Sequence, residues 1–174
     1  MSRNVEIKAS VKDLNKLLEL ARKLTGTDGK VLIQYDVFFN SPKERLKLRE
    51  VVEDGKKNIE LIWYARPDTA GPKLSDYNKV GFSEEQGQEM KKLLSNSMGV
   101  KGEVRKKRHL FIYEQTRIHV DEVEELGNFM ELEVCLKPEE TVEQGTRIAE
   151  FIRNELQIPE SDLLTSAYMD MLQA

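Results

Sequence analysis

The chain has 174 residues, the size of one ordinary domain; 39% are hydrophobic, enough for a core, and 33% are charged, more than the usual quarter. Its 27 basic and 31 acidic residues leave a net charge of −4, which excludes a global polyanion-binding field, so any anion site must be a local concentration of Lys and Arg. The single Cys135 excludes an intrachain disulfide, one thiol and two His give no zinc-ligand spacing, and no apolar run nears the ~20 residues of a membrane helix. With no apolar signal region after Ser2-Arg3-Asn4, the totals predict a single domain over residues 1–174, soluble and cytoplasmic.

The first predicted strand is Asn4–Lys8, where Asn4, Glu6 and Lys8 alternate with Val5 and Ile7. One face is apolar and the other carries both signs of charge. Helical spacing runs from about Val11 to Leu24 and stops at Gly26 and Gly29. A second strand, Val31–Asn40, sets Leu32, Gln34, Asp36 and Phe38 against Val31, Ile33, Tyr35, Val37 and Phe39. After Ser41-Pro42, a strand at Arg45–Arg49 places Arg45, Lys47 and Arg49 on one face. Asp54-Gly55 signals a hairpin. The return strand, about Asn58 to Arg66, sets Glu60, Ile62, Tyr64 and Arg66 against Leu61, Trp63 and Ala65. Pro67–Pro72 reads as a loop long enough to be mobile, and Leu74–Phe82 as a further strand.

A capping box at Ser83-Glu84-Glu85-Gln86 opens a helix to about Met98. Val100–Tyr113 reads as a long strand bending near Gly102, with Lys106 and Arg108 on one face. Alternation resumes at Arg117–Asp121 and again at Phe129–Leu136, where Glu131 and Glu133 share a face. Thr141-Val142-Glu143-Gln144 is a second capping box, for a helix to about Leu156, and a last helix is predicted from Ser161 towards Leu172. The order βαββββαβββαα is that of an α+β fold with a large, mostly antiparallel sheet.

Six strands thus offer charged residues on one face. Alternation alone fits a sheet with one solvated face. It also fits a sheet that curls closed, with helices on its apolar outside and charges within. About eight strands leave room for a ligand. An interior rich in both signs suits phosphate: Arg and Lys grip the oxygens, and carboxylates hold hard divalent cations that bridge them. The short run Arg105–Arg108, flanked by acidic residues, does not make a nucleic-acid patch. Trp63 and Tyr64 read as core or rim packing, and Lys91-Lys92 as a solvated helix face.

Asn4-Val5-Glu6-Ile7-Lys8 resembles the Glu-x-Glu-x-Lys opening of the CYTH family, the triphosphate tunnel metalloenzymes. Further matches are the Arg45–Arg49 strand, Tyr64-Ala65-Arg66-Pro67-Asp68, Arg117-Ile118-His119-Val120-Asp121 and Leu126–Glu133, in family order across essentially the whole chain. The phrases around Arg66 and Arg117 look closest to the class IV adenylyl cyclase-like branch, which sits beside thiamine triphosphatase-like members.

The resemblance implies an α+β fold built on a closed eight-stranded antiparallel β tunnel, with helices packed outside, binding a triphosphate with Mg²⁺ or Mn²⁺. Carried over by position, it implies phosphate contacts from Lys8, Arg45, Lys47, Arg49, Arg66, Lys106, Arg108, Arg117 and His119, with His119 a tunnel-wall hydrogen-bonder rather than a general base. Glu6, Asp121, Glu131 and Glu133 would be metal ligands, and Glu6, Lys8, Arg49, Glu131 and Glu133 the catalytic set. One departure is Asn4, where the family has its first Glu; it bears on the second, nucleophile-activating metal, and the resemblance leaves two outcomes, slow activity or compensation by Asp36 or another carboxylate.

The expected activity is hydrolysis of tripolyphosphate or a related nucleoside or thiamine triphosphate. The alternatives are a class IV-type adenylyl cyclase making cyclic AMP and pyrophosphate, and a non-catalytic triphosphate-binding protein. Neither nucleic acid nor membrane is expected as a partner, and both a monomer and a homodimer are compatible with the sequence.

Overall fold

The computed structural model describes residues 2–174. The elements of the described residues follow in chain order: β1 (Ser2–Ser10), α1 (Leu14–Thr25), β2 (Lys30–Phe39), β3 (Arg45–Glu53), β4 (Lys56–Ala65), β5 (Lys73–Phe82), α2 (Glu84–Met98), β6 (Val100–Tyr113), β7 (Thr116–Val123), β8 (Gly127–Cys135), α3 (Val142–Glu155) and α4 (Tyr168–Leu172). Strand follows strand as β1-β5-β4-β3-β2-β6-β7-β8, every pair antiparallel, and β8 returns to β1. The sheet is therefore a closed barrel and not a layer with one wet face.

Local chemistry sets the element ends. Asp13 accepts a hydrogen bond from the Lys16 amide at 3.0 Å, so α1 starts later than periodicity alone implies, and left-handed Gly26 (φ 70°) ends it. Both capping boxes form as read, Ser83 with Gln86 and Thr141 with Gln144. At the β3–β4 hairpin Asp54 (φ 49°) and Gly55 (φ 77°) both take positive φ, the type I′ requirement that the Asp-Gly pair satisfies. The bend expected near Gly102 is a register shift: Gly102 faces Phe38, yet Val100 faces Phe39.

Closure divides each strand between a helix-covered outside and a tunnel interior. Val5, Ile7 and Ala9 of β1 join a buried cluster with Leu17, Leu18 and Ala21 of α1 and with Ala149 and Ile152 of α3. Val37, Leu48 and Ile59 form another, packed by Met90, Leu94 and Met98 of α2. The contact of α3 with β1 is close enough that a Cβ on Gly145 would lie 2.5 Å from Leu136 Cδ2 and 2.7 Å from Val5 Cγ2. Gly145→Ala is expected to destabilise the fold by about 1–3 kcal/mol through overpacking. Urea denaturation checks this, and an unchanged midpoint would refute the close packing.

The final helix departs from expectation. Instead of one helix from Ser161 to Leu172, the chain makes a 3₁₀ turn at Glu160–Asp162 and then runs extended. Leu163 bridges to Ala9, and the Leu164 amide donates to the Lys8 carbonyl at 2.9 Å. Only Tyr168–Leu172 is α-helical. The backbone groups that a longer helix would have paired internally are used here to bind β1. As a result α4 lies across one end of the barrel, where Tyr168 and Met169 pack with Phe38, Val104 and Phe129. Among the described residues no helix is long and apolar enough to cross a membrane.

Candidate active site

The barrel encloses a cavity of about 1180 Å³. Because strand side chains alternate, most residues of the faces read as charged point into it. Its lining includes Asn4, Glu6 and Lys8 from β1, Lys47 and Arg49 from β3, Lys106 and Arg108 from β6, Arg117 and His119 from β7, and Glu131 and Glu133 from β8. Arg66 joins from just beyond β4. Register brings opposite charges together. Lys8 faces Glu131, Asp36 faces Arg49, Arg108 faces Asp121 and Arg117 faces Glu133. Glu6 and Glu133 are a like-charged pair side by side.

Three clusters result. In the first, Asp36 accepts from Arg49 Nε and Nη2, both at 2.7 Å, and from Lys47 at 3.2 Å, with Lys106 Nζ at 3.6 Å. Burial alone would raise the Asp36 pKa, but these three cations hold it well below the carboxylate range. Asp36 is thus an anchor for basic side chains rather than a free carboxylate. Burial and the adjacent Arg49 lower Lys47 to about 8.

In the second, Arg108 makes a bidentate pair with Asp121, both bonds at 2.7 Å, and the Tyr168 hydroxyl donates to the same carboxylate at 2.8 Å. Lys8 Nζ lies 3.9 Å from the centre of the Tyr168 ring. This end of the tunnel is closed. Nearby, Arg66 reaches Glu6 at 3.3 Å, and Arg45 is held by Asp68 (2.9 Å) and Asp170 (3.1 Å), outside the cavity lining.

The third cluster is His119, Glu131 and Glu133, whose candidate ligand atoms all lie within 4.8 Å of one another. His119 is 1% exposed, and neither ring nitrogen has a hydrogen-bond partner. Its Nδ1 is 3.8 Å from Glu131 and 4.0 Å from Glu133, beyond hydrogen-bonding distance. Burial and the nearby Arg108 depress its pKa, so the imidazole is neutral and a lone pair is free. A buried neutral imidazole with two carboxylates and no internal partner fits a divalent cation. Glu6 stands beside this group, its pKa raised to about 7 by burial and by the Glu133 carboxylate. The amide oxygen of Asn4, 5% exposed, is also unpartnered.

The CYTH domain model matches residues 2–168. The chain belongs to this family. It is 26% identical over 96% of its length, and 97% of the relative's, to a Methanocaldococcus jannaschii protein named "Putative adenylate cyclase MJ0240". Among solved structures it is similar to the PH1819 protein of Pyrococcus horikoshii (TM-score 0.81, 20% identity, 98% of each chain). It is also similar to a Hippeastrum adenylyl cyclase homologue described as revealing a dominant triphosphatase activity (TM-score 0.65, 16% identity, 99% of this chain and 95% of that one).

Within this CYTH tunnel the structure brings together all the residues proposed from sequence except Arg45, which is at the barrel rim, and Asp121, which is bound by Arg108 and Tyr168 apart from the His119 group. Sequence reasoning missed two others. Lys73, 4% exposed, donates to the Thr69 and Thr165 carbonyls, tying the 67–72 loop to the tail. The alternation Lys73, Ser75, Tyr77, Lys79 carried that signal. Tyr168 had none, because nothing in the tail's composition says that it enters a barrel.

Proposed function

We propose that the chain is a metal-dependent triphosphatase, hydrolysing tripolyphosphate or a related organic triphosphate within the tunnel. The observation that carries this reading is a single cavity holding a dense set of buried cations next to the His119–Glu131–Glu133 group. Lys8, Lys47, Arg49, Arg66, Lys106 and Arg108 would bind the phosphates by charge-assisted hydrogen bonds, with Arg117 closer to the mouth. Carboxylates already fix these cations in position, so they need little reorganisation as charge develops on the transferring phosphoryl group. Glu131, Glu133 and His119, with Glu6 beside them, would hold Mg²⁺ or Mn²⁺, which when bound neutralises phosphate charge and lowers the pKa of water.

A second reading, cyclisation of ATP, is favoured by the name of the M. jannaschii relative. Phosphorus NMR of the products from tripolyphosphate, ATP and thiamine triphosphate, each with Mg²⁺ or Mn²⁺, tests both. Orthophosphate from any of them supports the triphosphatase. Cyclic AMP with pyrophosphate from ATP hands the site to a cyclase, and no product at all removes both readings.

Arg49→Ala is expected to weaken triphosphate binding roughly 10- to 100-fold, the scale of a lost charged hydrogen bond. Lys92→Ala, on the exposed face of α2 and paired with Glu89, is expected to change it less than about twofold. Equal effects in a calorimetric titration would sink the tunnel assignment. Binding should also be linked to protons. Lys47, at about 8, is partly neutral at pH 8, and a polyanion beside it favours the charged form and raises its pKa. Net proton uptake is therefore expected at pH 8, read from titrations in buffers of different ionisation heat. It should shrink towards pH 6, where Lys47 is already charged, and decrease at pH 8 in Lys47→Arg, where the Lys47 share is lost.

A further inference from the structure

At the seam between β1 and β8 the inward face continues past the glutamates towards the mouth. Two cross-strand pairs lie next to each other there: Glu6 faces Glu133, and one step further out Asn4 faces Cys135. All four residues line the cavity. Residues directly opposite in an antiparallel pair have Cβ atoms about 4.5–5.5 Å apart, and successive inward positions on one strand are about 7 Å apart. The four therefore sit at the corners of one small rectangle.

What these corners offer is one-sided. Two are carboxylates, one is the single thiol of the chain, and the fourth is an amide. Asn4 is 5% exposed, and its Oδ1 has no hydrogen-bond partner. No corner is a cation. Arg66 reaches Glu6 from outside the rectangle at 3.3 Å, and Arg117 Nε stands 3.7 Å from Glu133, longer than a hydrogen bond. A buried acceptor beside a thiol and two carboxylates lacks a positive partner, and a cation completes the group. The sulfur decides which kind. A hard ion such as Mg²⁺ takes oxygen ligands, whereas Zn²⁺ accepts thiolate and carboxylate together. Cys135 is also no member of the His119–Glu131–Glu133 group, so this is a different position.

We infer that Cys135 Sγ and Asn4 Oδ1, with the Glu133 and Glu6 carboxylates behind them, form a second cation position that takes a thiophilic divalent ion of the Zn²⁺ class. The thiol gives its proton to solvent as the metal–sulfur bond forms. The position lies on the mouth side of the His119 group, so the ion stands at the entrance to the zone of buried cations. It is occupied without substrate, and it stands whether or not the chain hydrolyses triphosphates.

The test titrates Co²⁺, a spectroscopic stand-in for Zn²⁺, into the full chain under nitrogen and without triphosphate. Wild type is expected to show thiolate-to-cobalt charge-transfer absorption in the near ultraviolet, saturating near one equivalent and bleached by added Zn²⁺. With a single cysteine in the chain the band can come only from Cys135, and Cys135→Ser is expected to abolish it. That variant should fold, because the contacts of this residue with Gln115 are made by its backbone. Asn4→Ala removes an oxygen that has no partner to lose, and it is expected to weaken both ions by about tenfold or more. No band in wild type at excess Co²⁺ would overturn the inference. So would undiminished affinity in Asn4→Ala, the mark of a lone thiol that takes metal without a built site. Product analysis in Mg²⁺ alone decides the proposed function separately.

Discussion

Asp121→Ala is expected to cost about 3–5 kcal/mol of folding stability, the scale for breaking a buried ion pair by removing one partner. Asp121 is fully buried and Arg108 is 2% exposed, and their two 2.7 Å bonds leave the guanidinium no equivalent replacement. Glu131, at 3.6 Å, is the nearest remaining anion and already serves Lys8. The Tyr168 hydroxyl would also lose its acceptor, loosening α4 from the barrel. Urea denaturation in EDTA and in Mg²⁺ decides what the carboxylate does. A loss of the same size in both media assigns Asp121 to the framework that holds Arg108. Wild-type stability in EDTA, with a deficit only when metal is present, would assign it to metal binding.

Glu131→Gln is expected to lower kcat/KM by about 10²-fold or more while preserving shape. Part of the loss should return at high Mg²⁺, because one charge of the His119 group is gone and metal affinity falls with it. Glu131 also balances Lys8 at 3.1 Å, so the variant leaves that ammonium buried with less compensation. Burial already lowers the Lys8 pKa. The metal titration separates the two effects: Lys8 neutralisation reduces activity at every Mg²⁺ concentration, whereas loss of a ligand shifts the half-saturation point. An unmoved half-saturation point would take Glu131 out of the metal group.

The barrel wall was legible in the sequence because strand side chains follow a period of two, and the inward face of each strand could be read from Asn4/Glu6/Lys8 to Glu131/Glu133. Alternation gives a face but not an opposite number. Whether Asp121 or His119 stands with the glutamates depends on register and barrel tilt: His119 is directly across from Glu131, and Asp121 from Arg108. Asp36 shows the same limit, since nothing local in Gln34-Tyr35-Asp36 reveals that three cations from β3 and β6 converge on it. The tail was misread because a mixed sequence with apolar residues at helical spacing fits both a surface helix and an extended segment that pairs with β1. Long-range hydrogen bonds to Lys8 and Ala9 decide between them.

The place of β1 between β5 and β8 also bears on how the molecule is made. The β3–β4, β6–β7 and β7–β8 pairs join neighbours in sequence and form locally. The seam that pairs Asn4 with Cys135 cannot form until β8 has been made. Until then the first strand, whose Glu6 and Lys8 end up buried among charges, waits without its β8 partner. Such non-local closure carries a large loop entropy and makes for slow folding. The binding chamber is therefore among the last parts of the molecule to appear, and no fragment lacking either end of the barrel contains it.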